Sequence, residues 1–314
     1  MTGRGQGFAR QAAGLSLAGM LAACAVMPPA APPTVPSAPA AAAIERPTPP
    51  PAQIRIGGTA VQGGVLRGTA PVGTATLMLE VPGQAFRHVP VAPDGRFLIG
   101  FDRNADARAE VVATLHDGRV VRVPIAVAPR AWRIQPVDAP LRAGRTSAEF
   151  ARLRPEELAA IAAARTADPA RSAGLEGWRA PLRWPGRGRI SGYFGAQRIY
   201  RGQLGQYHGG IDIALPAGTP VVAPADGVVT LATDHPFTLE GNLILVDHGG
   251  GLESAFLHLS RIDVREGQRV RAGQALGAVG STGRATGPHL HWGLRWGAAR
   301  LDPLLVAEPM GDVG

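Results

Sequence analysis

Two turn signals, PDG at 93–95 and HDG at 116–118, cut the chain into apolar runs too short to be helices. Between Ile54 and Val137 those runs (IRIGGTAV, ATLMLEV, EVVATL, RVVRVPIAV) alternate apolar and polar residues. A period of two turns one face of a strand inward, and Asp-Gly pairs supply the positive φ of tight hairpins. From Gly186 to Leu305 short apolar runs return in TPVVAPADGVVTLA, NLILVDHGGGLESAFLHLS and HLHWGLRW, with no sustained helical period. VVAPADGVV (221–229) and VRAGQALGAVG (270–280) look like variants of one hairpin. With 42 glycines, 29 prolines and 5% aromatic residues in 314, a turn-rich β protein is expected rather than a helical bundle. The expected fold is therefore mainly β. An N-terminal, immunoglobulin-like β-sandwich spans 54–137, a short helical connector 138–185, and a C-terminal antiparallel β-sheet domain 186–306, with a tail at 307–314. In the connector, TSAEFARLRPEELAAIAAART carries helix-start signals at Ser147-Ala148-Glu149 and again at Pro155-Glu156-Glu157.

The first 53 residues have a different character. Arg4 and Arg10 precede a short apolar run, Ala12–Ala23, at about 12 residues well below the roughly 20 a membrane span needs. This predicts a signal peptide over 1–24. Leu21-Ala22-Ala23-Cys24 resembles a bacterial lipobox, so Cys24 is the expected lipidation site. The alternative is an ordinary signal peptide cut near Ala23 or Ala25. By the same resemblance, Ala25 after the cysteine points to the outer membrane. The Pro/Ala-rich stretch 25–53 reads as an extended tether. A single cysteine excludes an intramolecular disulfide and a cysteine metal cluster. The net charge is +8 and all 32 basic residues are arginine. They are scattered, with no basic helix or aromatic ladder, so no nucleic acid is expected as a partner. A basic surface suits an acidic cell-wall polymer. The chain is expected to be exported to the periplasm and held there by a lipid anchor.

Six of the eight histidines fall in the last domain. His289 and His291, two apart in GPHLHWGL, share one face of a strand. His208 and Asp212, in HGGID, stand about 13 Å apart on a regular strand, but a bend at Gly209-Gly210 brings them together. His291 then completes a His₂Asp set, and three protein donors with an open fourth position are the pattern of a catalytic zinc site. With His291 on the metal, His289 lies beside it and reaches the water or the substrate oxygen. His88 and His116 read as surface residues, and His235 and His248 as structural or solvent residues in turns. Trp178 and Trp184 read as packed edge residues, with carbohydrate stacking as the alternative.

HGGID, FLHLS and GPHLHW, in that order, resemble the LytM/lysostaphin-type zinc metallopeptidases over about residues 186–305. The resemblance implies one zinc per domain held by His208, Asp212 and His291, with His258 and His289 as the catalytic histidines. It implies a duplicated hybrid motif fold and a metalloendopeptidase cutting peptide cross-links of peptidoglycan. Phe256 departs from the family, where many relatives carry tyrosine, and is expected to alter the groove wall. Because some members have lost activity, the alternative is a non-cleaving scaffold that binds the wall or activates a murein amidase. Partners of that kind, an amidase or a divisome protein, are compatible with either reading. A general secreted protease has only the metal site in its favour. The segment 138–205 is a candidate cover for the groove.

Overall fold

The computed structural model describes residues 52–137, 148–166 and 172–311. The expected signal peptide with Cys24, tether residues 25–51, connector residues 138–147 and 167–171, and the last three tail residues lie outside the described residues.

Two sheets build the N-terminal region. One orders β1 (Arg55–Gly57), β2 (Val65–Thr69) and β5 (Arg96–Gly100). The other orders β4 (Arg87–His88), β3 (Thr74–Glu80), β6 (Arg108–Leu115) and β7 (Val120–Ala126). Alternation works as the sequence predicts: Leu77 and Leu79 in β3 and Val111 and Ala113 in β6 are buried. The β6–β7 hairpin turns on HDG, where Gly118 has φ 84° and Asp117 Oδ1 accepts from the Arg119 amide at 3.0 Å. His88 and His116 are exposed.

The C-terminal region is built on an eight-stranded antiparallel sheet. Its order is β18 (Arg269–Val270), β14 (Gly227–Ala232), β15 (Asn242–Asp247), β16 (Leu252–Leu259), β20 (Leu290–Trp296), β12 (Gly210–Ala214) and β9 (Arg189–Gly192), with β21 (Ala299–Leu301) also on β20. A side sheet orders β13 (Pro220–Val222), β19 (Ala275–Ala278) and β17 (Arg261–Ile262). A third small sheet joins the two regions. β8 (Ile134–Val137) runs parallel to β10 (Gln197–Tyr200), which pairs with β11 (Gln203–Leu204). Further contacts reinforce the junction. A Cβ on Gly100 would lie 2.7 Å from Trp296, and Arg130 pairs with buried Asp302 at 2.8 Å. Asp302 caps the short helix α2 (Pro303–Val306) by accepting from the Leu304 amide.

The two faces of the large sheet differ. Ile211, Ile213, Ile244, Phe256, Leu290 and Trp292 point into a core continuous with that of the N-terminal sheets. Phe256 is fully buried opposite Trp292, so it faces the core and not the groove wall. Leu243, Leu245, Ala255 and Leu257 lie on the opposite face, under helix α1 (Ala148–Arg165), whose Ile161 packs among them. Asp212, His291 and Leu257 are cross-strand partners on that same face. Pro155 lies inside α1 and does not start a second helix. Trp178 and Trp184 are 4% and 5% exposed, and their indole nitrogens donate to Leu175 O and Glu308 O. Both are packed, and neither offers a ring face to a sugar.

Candidate active site

Strand pairing assembles the site. Asp212 on β12 and His291 on β20 are directly opposite, and His289 lies two residues back on the same face. His208 sits on the segment entering β12, and its Nε2 comes to 3.1 Å from Asp212 Oδ1. His291 Nδ1 lies 2.9 Å from the same oxygen and 3.0 Å from His208 Nε2. The backbone makes room for this convergence. A Cβ on Gly192 would lie 2.2 Å from Asp212 Oδ2, and one on Gly210 would lie 2.8 Å from His291 Nε2.

His258 reaches the site by a local departure from strand geometry. Plain alternation along β16 would send it to the core side with Phe256 and Ser254. Between Phe256 and Leu259, where β16 pairs with β15, the register gains a residue on β16, a β-bulge.

 At that bulge His258 has φ 63°, in the left-handed region, which re-aims its side chain. Its ring lies 4.9 Å from the His289 ring and 6.2 Å from that of His291, centroid to centroid.

Backbone carbonyls fix the tautomers. His208 Nδ1 faces Tyr193 O at 3.1 Å, His258 Nδ1 faces Thr282 O at 2.9 Å, and His289 Nδ1 faces Gly287 O at 2.8 Å. A carbonyl only accepts, so each Nδ1 carries a proton, and a ring that is neutral has its Nε2 lone pair free for the site. Burial, the largest influence, pushes the His258 imidazole down to about 4, so it is neutral near pH 7. Burial would raise the Asp212 carboxyl, but hydrogen bonds from His208 and His291 outweigh it and hold the group well below the usual carboxylate range.

His208 Nε2, Asp212 Oδ1 and His291 Nδ1 therefore converge, three atoms that each offer a lone pair to a metal once the two rings are neutral. Their 2.9–3.1 Å separations are close to the roughly 3.3 Å edge of a tetrahedron around an ion with bonds of about 2.0–2.1 Å. The residues fit a divalent metal, and among the described residues this is the group of metal-ligating side chains that converges. His258 and His289 stand beside it.

The remaining histidines stay apart from the site. His235 is exposed beside Asp234. His248 is fully buried, with Nδ1 2.9 Å from Asp226 O and Nε2 2.8 Å from Ser254 Oγ, which makes it structural and not solvent-facing. Sequence reasoning missed the orienting carbonyls of Tyr193, Thr282 and Gly287, since a backbone group carries no residue signature. It also missed the bulge at His258, because FLHLS reads as a plain strand.

Three converging donors suited to a metal on an antiparallel sheet, with two further histidines beside them, are the arrangement of a metallopeptidase, and the chain belongs to peptidase family M23. The family profile matches residues 206–303. A crystal structure from Pseudomonas aeruginosa described as a peptidase M23 is 30% identical, with a TM-score of 0.59; the match covers 80% of this chain and 97% of that one. Among curated relatives, the peptidoglycan DD-endopeptidase ShyA of Vibrio cholerae is 43% identical over 119 residues, 37% of this chain. The DD-carboxypeptidase/endopeptidase Mpg of Neisseria meningitidis is 43% identical over 125 residues, 40% of this chain. The chain covers only 27% and 28% of the length of these two relatives.

Proposed function

We propose that this protein is a zinc-dependent metalloendopeptidase that hydrolyses peptide cross-links of peptidoglycan. The observation that carries the reading is the convergence of His208, Asp212 and His291 with the neutral His258 ring and the His289 ring, whose Nε2 lies 3.7 Å from Asp212 Oδ1, beside them. His208, Asp212 and His291 would hold the zinc, whose borderline character suits two imidazoles and a carboxylate. Zinc, when bound, supplies Lewis-acid activation of the attacking water and of the scissile carbonyl. The free Nε2 of His289 or His258 accepts the proton of the attacking water and returns it to the leaving amine. The same rings, once protonated, stabilise the developing oxyanion. The names of the curated relatives support peptidoglycan as substrate, and an exported location follows from that substrate. Cys24 is the proposed point of lipid attachment, placing the enzyme in the periplasm on the outer membrane.

The test is a digest of purified peptidoglycan by the protein lacking residues 1–24, with zinc, read by mass spectrometry of the released muropeptides. Cross-linked dimers should become monomers, and a His289→Ala sample should leave them intact. Unchanged dimers with zinc bound would instead favour the non-cleaving scaffold.

A further inference from the structure

Helix α1 lies outside the stretch that matches the family profile, yet it is tied to the segment that holds His258. His258 has two anchors. Its amide donates to Glu240 O at 2.8 Å, and its Nδ1 donates to Thr282 O at 2.9 Å. Both anchors depend on the loop 237–242. Phe237 and Gly241 close that loop with reciprocal backbone bonds of 2.9 Å. Asn242 N donates to Thr282 Oγ1 at 2.9 Å, and a Cβ on Gly241 would lie 2.3 Å from that oxygen, so Thr282 is seated directly on the loop.

The loop is clamped from outside by α1. Arg154 grips the Glu240 carboxylate with both terminal nitrogens, at 2.6 and 2.8 Å. Glu157, buried at 4% exposure, accepts from the Thr238 amide at 2.6 Å and from Thr238 Oγ1 at 2.7 Å, and it also pairs with Arg154 at 3.0 Å. Ion pairs as shielded as this one are geometrically demanding, and they specify a single arrangement better than they add net stability. His258 meanwhile holds a left-handed backbone conformation that persists only where its surroundings impose it.

We infer that Arg154 and Glu240 are positioning residues, and that α1 is a brace that keeps His258 in its catalytic orientation. The helix is then a working part of the active site, although it touches no reacting atom. This inference rests on the proposed function for its kinetic readout, and a second readout stands free of it.

The experiment compares the zinc-loaded protein with Arg154→Met, Arg154→Lys and Glu240→Gln. The expected result for Arg154→Met and Glu240→Gln is a kcat lower by about tenfold to a hundredfold, as for a displaced catalytic group, with KM and zinc content unchanged. Arg154→Lys, which keeps the charge and loses the fork, should recover part of the rate. In parallel, the ¹⁵N-edited NMR signal of the His258 Nδ1 proton, sheltered by Thr282 O, should broaden or shift in Arg154→Met. A wild-type kcat retained by the folded variants, or a His258 signal that does not move, overturns the brace. Loss of zinc in step with loss of rate overturns it too, since that is collapse of the whole site. A wild-type protein inactive on peptidoglycan would sink the functional reading, while the NMR comparison would still decide the brace.

Discussion

His248 and the groove histidines lie on or beside strands of the same sheet, His248 and His258 buried and the others half-buried, yet their surroundings differ in one respect. His248 has both ring nitrogens satisfied within the protein, by Asp226 O and Ser254 Oγ. His208, His258 and His289 each have one nitrogen held by a backbone carbonyl and the other aimed into the groove. The side chain alone does not separate a structural histidine from a functional one. The second nitrogen does, turned toward the other site residues where that of His248 is spent on the fold, because a buried polar atom normally finds a partner within the fold.

Five substitutions test this contrast, in order of expected effect on cleavage. Asp212→Ala removes the shared acceptor between two rings, and zinc binding by calorimetry and muropeptide release should both be abolished. His289→Ala, or His258→Ala, should keep one zinc per chain while the cleavage rate falls by about 10²–10⁴-fold, the usual contribution of a general acid–base group. Zinc lost from either variant would place that ring among the ligands and break the division of roles. Gly192→Ala forces a methyl group against Asp212 Oδ2, and should weaken zinc affinity by about 10–100-fold, as changes around a ligand do.

His248→Ala should leave the rate per folded molecule unchanged and cost stability, by about 2–4 kcal/mol in urea denaturation, from two lost hydrogen bonds and a cavity. Its pH signature sharpens the contrast. Burial lowers the His248 pKa, so as pH falls below about 6.5 the unfolded chain takes up a proton that the folded one refuses. The stability contribution is complete above that pH and drains away below it. The groove histidines are common to both proteins, so a shallower acid loss in His248→Ala isolates this one ring. Identical slopes would show that His248 does not titrate on unfolding.

Much of this was legible before the structure. Alternating apolar residues and Asp-Gly turns place strands and hairpins because side-chain direction and turn conformation are local properties. The spacing in HGGID and GPHLHW nominated Asp212, His208 and His291, since strand periodicity assigns His289 and His291 to one face. The same local reasoning went astray where a residue's surroundings are set from elsewhere in the chain. Pro155 carries a start signal, yet α1 runs through it, held by Ile161 on the sheet and by Glu157 on Thr238. Phe256 looked like groove wall, yet cross-strand pairing with Trp292 puts it in the core.

By itself, then, the sequence determined the β architecture, the histidines and carboxylate available for a metal, and their allocation to strand faces, all consequences of short-range geometry. The tertiary structure decided the rest: the opposition of Asp212 and His291, the carbonyls that orient three rings, the bulge that turns His258 into the groove, and the helix clamped on the loop behind it. Each of these depends on register between segments distant along the chain, and register is settled only when the strands pair and bury a common face.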